Sequence, residues 1–443
     1  MRKGRIVLKK GFLWGAKAVV FALLISSIYL SYTQSNDPYR FFTGLGSEIS
    51  ISPNDDRLLF SYYTNGNEQI YSSSISGKDV QQLTTSSETR SHTPRYSNDG
   101  KKILFLAKKA DANEQNVLNV TNADGQTPQK VSDDSLHVTD AVFSKNNQQI
   151  YFIGMPASDL GKLEGTAEGG SNLYVADVQT GKVKQLTKKD YFSMGDLAVD
   201  DDDVYYTVFN EHEELYSYNL KANKEQRVNY NKLTGDIYET TFTPSGDQVA
   251  YTAVSKESEN SSLYEYELFL FDIQSNKTEQ LTTLKSSVNS PVFFHKQNKV
   301  IFLHDTAWAA QPEEYKLKTI DLKTKEIQEV KLSVPKDTNN SALNKLVGYI
   351  GNGYTIGLLY VVLLSLFTYS FHKNKHKPYV IPIISLSIAI VGVVASFVTA
   401  AVFDPWVGIA IGTLSIGIAA CSIILFLIAF VIKQVTTTHN HSL

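Results

Sequence analysis

Cysteine is nearly absent: Cys421 is the single thiol among 443 residues. That excludes an internal disulfide framework and a thiolate zinc site. Acidic side chains are missing from both ends. Residues 1–17 carry six Lys/Arg and no acid, and residues 344–443 carry five Lys and one acid, Asp404. So 31 of the 42 basic and 44 of the 45 acidic side chains lie in 18–343, which stands at −13 while the whole chain is at −3. A body this acidic excludes nucleic acid as a partner held by a basic patch.

What the ends do contain is apolar sequence. A membrane-spanning helix needs about 20 apolar residues, and four stretches supply them: 12–32, 346–371, 379–403 and 406–432. The last two are joined by Phe403-Asp404-Pro405-Trp406, a turn short enough to force a hairpin. Lys and Arg in short flanks stay cytoplasmic. Arg2, Lys3, Arg5, Lys9 and Lys10 in the N-terminus (1–11), the loop 372–378 with Lys373, Lys375 and Lys377, and Lys433 opening the tail (433–443) then share one side. The body lies on the other, with Asp404. Both termini are expected to be cytoplasmic and the chain to sit in the cell membrane. Segment 12–32 lacks a small-x-small cleavage pattern and is expected to remain as an anchor. Segments two to four hold no mid-membrane ionisable residue, which argues against an ion-coupled transporter.

Between the anchors the sequence repeats. Six pairs of apolar residues lie nine apart: Ile51/Phe60, Tyr96/Phe105, Phe143/Phe152, Leu197/Tyr206, Phe242/Tyr251 and Phe293/Phe302. Between the members of each pair stand polar and turn-forming residues such as Ser97-Asn98-Asp99-Gly100, which suit a hairpin. A third and a fourth short strand follow in each copy, for example Asn172-Leu173-Tyr174-Val175 and Lys184-Gln185-Leu186-Thr187. Four short strands per roughly 45 residues is the size of a propeller blade. The expected fold is an all-β six-bladed propeller over 47–335, between linkers 33–46 and 336–345, with four transmembrane helices, one N-terminal and three C-terminal. Residues 39–43 either complete the last blade or are linker.

The string Arg95-Tyr96-Ser97-Asn98-Asp99-Gly100-Lys101-Lys102-Ile103-Leu104-Phe105 resembles the F-S-P-D-G-K-x-I-x-F signature of TolB-like, WD40-like propeller repeats. Ile51-Ser52-Pro53-Asn54-Asp55 and Phe242-Thr243-Pro244-Ser245-Gly246 match it in part. The fourth copy departs most, with Asp200-Asp201-Asp202-Asp203 in that place. The resemblance implies a propeller and leaves function open, since such propellers serve as scaffolds, sensors and enzyme accessory domains.

Candidate chemistry is sparse. A hydrolase of the propeller-bearing peptidase class needs a Gly-x-Ser-x-Gly elbow in an α/β region. The nearest string, Gly412-Thr413-Leu414-Ser415-Ile416-Gly417, has the wrong spacing and lies in an apolar run. Asp200, Asp201, Asp202 and Asp203 are candidate calcium ligands, although a calcium loop alternates its ligands and four acids in a row also make a solvated turn. Glu211-His212-Glu213-Glu214 is a weaker metal candidate in a hairpin tip. No catalytic residue, resident metal or cofactor is expected. Long loops at 155–170, 255–262 and 304–311 are where binding sites usually lie, and Trp308 is the ligand-binding candidate, against packing on a neighbouring blade. Gly392, Gly408 and Gly412 form small-residue faces for close helix packing, within the chain or with a membrane-protein partner.

The expected function is therefore a non-enzymatic binding, sensing or scaffold module at the cell envelope, touching the lipid bilayer and an envelope protein or glycan. The alternatives are an enzyme on an envelope glycan or lactone, for which a ring of carboxylates in the channel would speak, and an accessory subunit of a membrane exporter.

Overall fold

The computed structural model describes residues 10–33, 37–109, 115–162, 166–200, 202–210, 212–228, 236–334, 346 and 348–440. Arg2, Lys3, Arg5, Lys9, Asp201, Glu211 and the linker 336–345 lie outside them. The chain divides into two bodies, one of residues 1–36 with 340–443 and one of 37–339.

The second body is propeller-like. Among the described residues its 24 strands fall into six consecutive four-strand meanders, here repeats 1 to 6, over 44–82, 89–130, 136–185, 193–227, 238–280 and 287–329. Repeats 5 and 6 are also joined by one parallel bridge, Tyr266 to Ser287. Within each repeat the strands pair antiparallel in sequence order.

The local chemistry recurs. The Ser97 hydroxyl accepts the backbone N–H of Lys102 at 2.9 Å and closes the first turn; Ser52, Ser144 and Thr243 do the same for Arg57, Gln149 and Gln248. At the outer edge the hydroxyls of Thr84, Ser132, Thr187 and Thr282 accept the N–H groups of Ile70, Leu118, Leu173 and Leu268, all at 2.8–2.9 Å. Each satisfies a strand N–H beyond the short fourth strand, where a bare backbone group would be costly.

The second strands are buried on both faces, so they read as unbroken apolar runs rather than alternating ones. Leu58 and Phe60 pack toward repeat 6 with Ile301 and Leu303, while Leu59 packs toward repeat 2 with Ile103 and Phe105. Most of the core thus lies between adjacent sheets.

Residues 39–43 do not add a strand to repeat 6, whose outer strand is its own Ile327–Glu329. They pack on repeat 1 instead: Tyr39 stacks on Tyr63 with ring centres 4.8 Å apart, and Phe42 meets Tyr63 edge-on. Repeat 6 joins repeat 1 through side chains and backbone. Asp55 accepts the N–H groups of His295 and Lys296 at 2.8 and 2.7 Å, and Ser333 N–H donates to the Gly77 carbonyl at 2.8 Å. Gly77, at φ +80°, turns where a Cβ would lie 2.2 Å from the Lys331 oxygen; Gly125 repeats this against Leu83 between repeats 1 and 2.

One expected anchor is displaced. In five repeats the first-strand anchor pairs seven residues ahead, as Tyr96 with Ile103. In repeat 4 the equivalent residue is Val199, which pairs with Val204, not Leu197. Asp200 N–H reaches the Asp203 carbonyl at 2.8 Å, so this hairpin is two residues shorter.

Among the described residues the first body holds four helices long and apolar enough to cross a membrane: α1 Lys10–Thr33, α2 Gly353–Lys375, α3 Val380–Val402 and α4 Pro405–Asn440. The expected second segment begins at 346; residues 346 and 348–350 are helical, Gly351 and Asn352 interrupt the helix, and α2 follows from Gly353. Asn352 is extended, and its side chain accepts Thr355 N–H at 2.8 Å as an N-cap, the usual role of Asn there. Asp404 caps α4 likewise, accepting Trp406 and Val407 N–H at 2.7 and 3.1 Å. Inside the bundle, Tyr360 OH meets Ser385 at 2.8 Å and Ser385 meets Ser422 at 2.6 Å, tying α2, α3 and α4 together.

Candidate functional site

Each first strand of the β body carries a bulge or register shift close to the residue three before its anchor; in repeat 3 it falls one residue earlier, at Thr139, and Asp140 stays paired with Ile153. The residues at that position are Glu48, Thr93, Asp140, Asp196, Glu239 and Ser290. Thr93, Asp196, Glu239 and Ser290 adopt left-handed φ of +50 to +55°. A bulge re-aims a side chain, and all six line one cavity of about 530 Å³. The cavity extends to the first-turn residues Asn98, Lys145, Asp200 and His295.

A belt of hydrogen bonds runs round this axis. Tyr96 N–H donates to Ser50 Oγ at 3.2 Å, and Arg95 Nη2 to Asp140 Oδ1 at 3.0 Å. Leu197 N–H donates to Asp140 Oδ2 at 2.8 Å, and Thr240 N–H to Asp196 Oδ2 at 3.1 Å. Ser290 N–H donates to Glu239 Oε2 at 3.0 Å, and Ile49 N–H to Ser290 Oγ at 3.3 Å. These six links join repeats 1–2, 2–3, 3–4, 4–5, 5–6 and 6–1.

The belt is strongly acidic. Four carboxyls share it with one guanidinium. Burial pushes Glu239 up to about 8, aided by Glu48 and Asp196. Burial also lifts Glu48 to about 7, with Arg95 opposing and Asp140 adding, and Asp196 to about 6, with the Thr240 N–H opposing and Asp140 adding. Burial alone would pull Arg95 down; Asp140, Glu48 and Asp196 outweigh it and raise it. Crowded like charges in a desolvated place behave this way. Near neutral pH the belt therefore holds protons, can release them, and offers carboxylate oxygens to a cation.

The sites expected from sequence lie elsewhere. Asp200 pairs with Lys145 at 2.9 Å, Asp202 with Lys221 at 2.6 Å, and Asp203 accepts from Asn219. They face three different partners. Among the described residues no three His, Cys, Asp or Glu are placed to hold a metal ion. His212 pairs with Asp236 at 3.4 Å. Trp308 is half-buried against repeat 5: its Nε1 donates to the Tyr264 carbonyl at 2.7 Å and its ring meets Tyr266 edge-on at 5.6 Å. The small faces of Gly392, Gly408 and Gly412 are occupied within the chain. A Cβ would lie 2.2 Å from Ser415 Oγ at Gly392, 2.5 Å from Ala400 Cβ at Gly408 and 3.3 Å from Ser396 Oγ at Gly412. At these three glycines α3 and α4 approach each other.

Sequence reasoning missed the belt. The signal was the residue three before each anchor, which reads Glu, Thr, Asp, Asp, Glu, Ser. With Leu197 taken as the fourth anchor, that position reads Met194 and hides Asp196.

The family described as dipeptidyl peptidase IV N-terminal region, a propeller-type domain, matches residues 18–154. The match includes the Arg95–Phe105 motif, so it and the TolB-like resemblance fall on the same residues. No curated protein matches. Among solved structures, TolB from Acinetobacter baumannii is 14% identical with a TM-score of 0.47, over 66% of this chain and 64% of that one; this chain thus spans less than two thirds of that protein. Oligogalacturonate lyase from Vibrio parahaemolyticus is 13% identical with a TM-score of 0.45, over 66% and 80%. Acylaminoacyl peptidase from Pyrococcus horikoshii is 12% identical with a TM-score of 0.45, over 70% and 55%.

Proposed function

We propose that this chain is a membrane-held binding module: a six-bladed propeller displayed outside the cytoplasm, anchored by α1 before it and by α2, α3 and α4 after it, with both termini cytoplasmic. Its binding place is the axial channel, and the ligand it fits carries positive charge. The channel carries this reading: about 530 Å³ of space lined by the five carboxyls of Glu48, Asp140, Asp196, Asp200 and Glu239 against the two cations Arg95 and Lys145, with His295 at its edge. An ammonium or guanidinium entering it gains charge-assisted hydrogen bonds and offsets the mutual repulsion that adds to burial in lifting these carboxyls. The cyclic order of six meanders supports the blade count. The side taken by every Lys/Arg cluster supports the orientation.

The test is a melting experiment on the full-length protein in neutral detergent, with spermidine against sodium chloride of equal ionic strength. Spermidine is expected to raise the melting temperature of the wild type, more at pH 8 than at pH 5.5. A Glu48→Gln/Glu239→Gln variant is expected to lose the shift. No shift in the wild type, or an equal shift in the variant, would contradict the reading.

A second reading is an enzyme acting on an envelope glycan or lactone. The convergence of raised carboxyls favours it, because such groups serve as general acids near neutral pH. It ranks second because both oxygens of Asp140 and one each of Asp196 and Glu239 bond a neighbouring repeat. Turnover of a glycan or lactone by the purified protein, abolished by Asp196→Asn, would reverse the ranking.

A further inference from the structure

One seam of the channel differs from the other five. In each repeat a second-strand residue pairs with the residue just before the first-strand anchor. In repeats 1, 2, 3, 5 and 6 it is Leu59, Leu104, Tyr151, Ala250 and Ile301. All five are at most 3% exposed, and none of them lines the channel. In repeat 4 it is Tyr205, opposite Ala198. Tyr205 is half-buried and, among the described residues, is the one second-strand side chain in the channel wall. Two local causes expose it. The repeat 4 hairpin is two residues shorter, with Val199 paired to Val204, so its turn covers less of the second strand. Ala198 is also the smallest side chain at its place, where the other repeats carry Ser50, Arg95, Val142, Thr241 and Val292.

The notch this leaves is aromatic. Tyr205 meets Phe242 of repeat 5 with ring centres 5.1 Å apart and planes tilted by 37°. Phe242 is half-buried and lines the channel as well. The same seam carries two carboxyls of the belt. Asp196 of repeat 4 takes the Thr240 N–H on Oδ2 at 3.1 Å, which fixes it next to Glu239 of repeat 5. Glu239 takes the Ser290 N–H on Oε2 at 3.0 Å. Asp196 Oδ1 and Glu239 Oε1 stay outside these bonds. Glu239 and Phe242 are three residues apart on one strand, at most about 10 Å.

We propose that this seam makes the channel selective for an amphipathic amine. Its primary ammonium sits on Asp196 Oδ1 and Glu239 Oε1, and a short alkyl arm carries a flat apolar group into the notch of Tyr205 and Phe242. Charge-assisted hydrogen bonds hold the ammonium, and the two rings take the apolar group offset or edge-on. A polyamine engages the carboxylates and leaves the notch to water. A neutral arene fills the notch and leaves the carboxylates bare. The inference rests on the reading of the channel as a cation site and adds the class of cation.

The experiment obtains dissociation constants from the rise in melting temperature as ligand is added, on the full-length protein in neutral detergent at pH 8. The probes are 4-phenylbutylammonium, butylammonium and spermidine. The wild type is expected to bind 4-phenylbutylammonium about tenfold or more tightly than butylammonium. Tyr205→Thr should cut that preference to less than about threefold and leave butylammonium and spermidine binding within roughly twofold of wild type. Phe242→Thr should act in the same direction and carries the test if the first variant does not fold. A wild-type preference below about threefold, with spermidine still bound, would overturn the inference and spare the cation reading. A full preference in the folded variants would also overturn it, because the arene would then be held elsewhere. If none of the three amines raises the melting temperature, the cation reading itself fails.

Discussion

Replacing Asp140 by Ala removes the most heavily used group of the axial belt. Asp140 is 7% exposed. It takes the Arg95 guanidinium at 3.0 Å, the Leu197 N–H of repeat 4 at 2.8 Å and its neighbour Ala141 N–H at 2.8 Å. Truncation leaves a buried backbone donor and a half-buried guanidinium without their acceptor. An orphaned buried group costs about 1–3 kcal/mol, and bonds to a charged group contribute about 1.5–3 kcal/mol each. Arg95 is a third exposed, so its share is reduced by solvent. Removing one anion from beside Glu48 and Asp196 returns part of the loss. The expected net destabilisation is about 3 kcal/mol, which corresponds to a fall of roughly 6–10 °C in melting temperature. A double-mutant cycle with Arg95→Ala in full-length protein separates the pair from the backbone bond. The coupling should be about 1 kcal/mol or more, and Asp140→Ala should lose more than Arg95→Ala. A loss below about 1 kcal/mol for Asp140→Ala would refute the belt as a structural tie between repeats.

Two further substitutions read other parts of the fold by the same melting assay. Phe60, fully buried between repeats 1 and 6, should cost about 3–5 kcal/mol as Phe60→Ala, while an exposed Lys296→Ala should cost little. In the bundle, Gly408→Ala should lower detergent stability by about 1–3 kcal/mol, because the new methyl meets Ala400 and the Ser396 carbonyl at 2.5–2.7 Å, whereas Gly412→Ala, at 3.3–3.5 Å from Ser396, should be nearly neutral.

Much of this architecture is readable in the sequence because the repeat devices are local. Ser97 closes its turn with its own hydroxyl, and Leu83-Thr84 or Leu186-Thr187 mark the end of a fourth strand by side chain alone. The apolar runs Leu58-Leu59-Phe60 and Val300-Ile301-Phe302-Leu303 announce strands covered on both faces. The membrane-length helices follow from uninterrupted apolar sequence, although the start of α2 depends on a cap at Asn352 that hydropathy does not register.

The axial belt was far less legible. Its members are 43 to 56 residues apart in sequence and meet only when the ring is formed. Asp140 and Glu239 look like ordinary polar residues of a strand, and nothing local says that they face the axis. The shortened hairpin after Asp200 further concealed Asp196 by shifting the repeat by two residues. Conversely, the conspicuous run Asp200 to Asp203 drew attention as a metal candidate, while the described members bond Lys145, Lys221 and Asn219 separately. Conspicuous composition marked a turn, and a sparse, periodic pattern marked the axis.

Sidedness governs every functional reading of this chain, and one labelling experiment decides it. Cys421→Ala leaves no thiol, and Ser275→Cys then places one on an exposed turn of repeat 5. A membrane-impermeant maleimide applied to intact cells, with the outer envelope permeabilised where there is one, should label that cysteine fully before lysis. Labelling that appears only after the inner membrane is broken would put the β body in the cytoplasm and contradict the account.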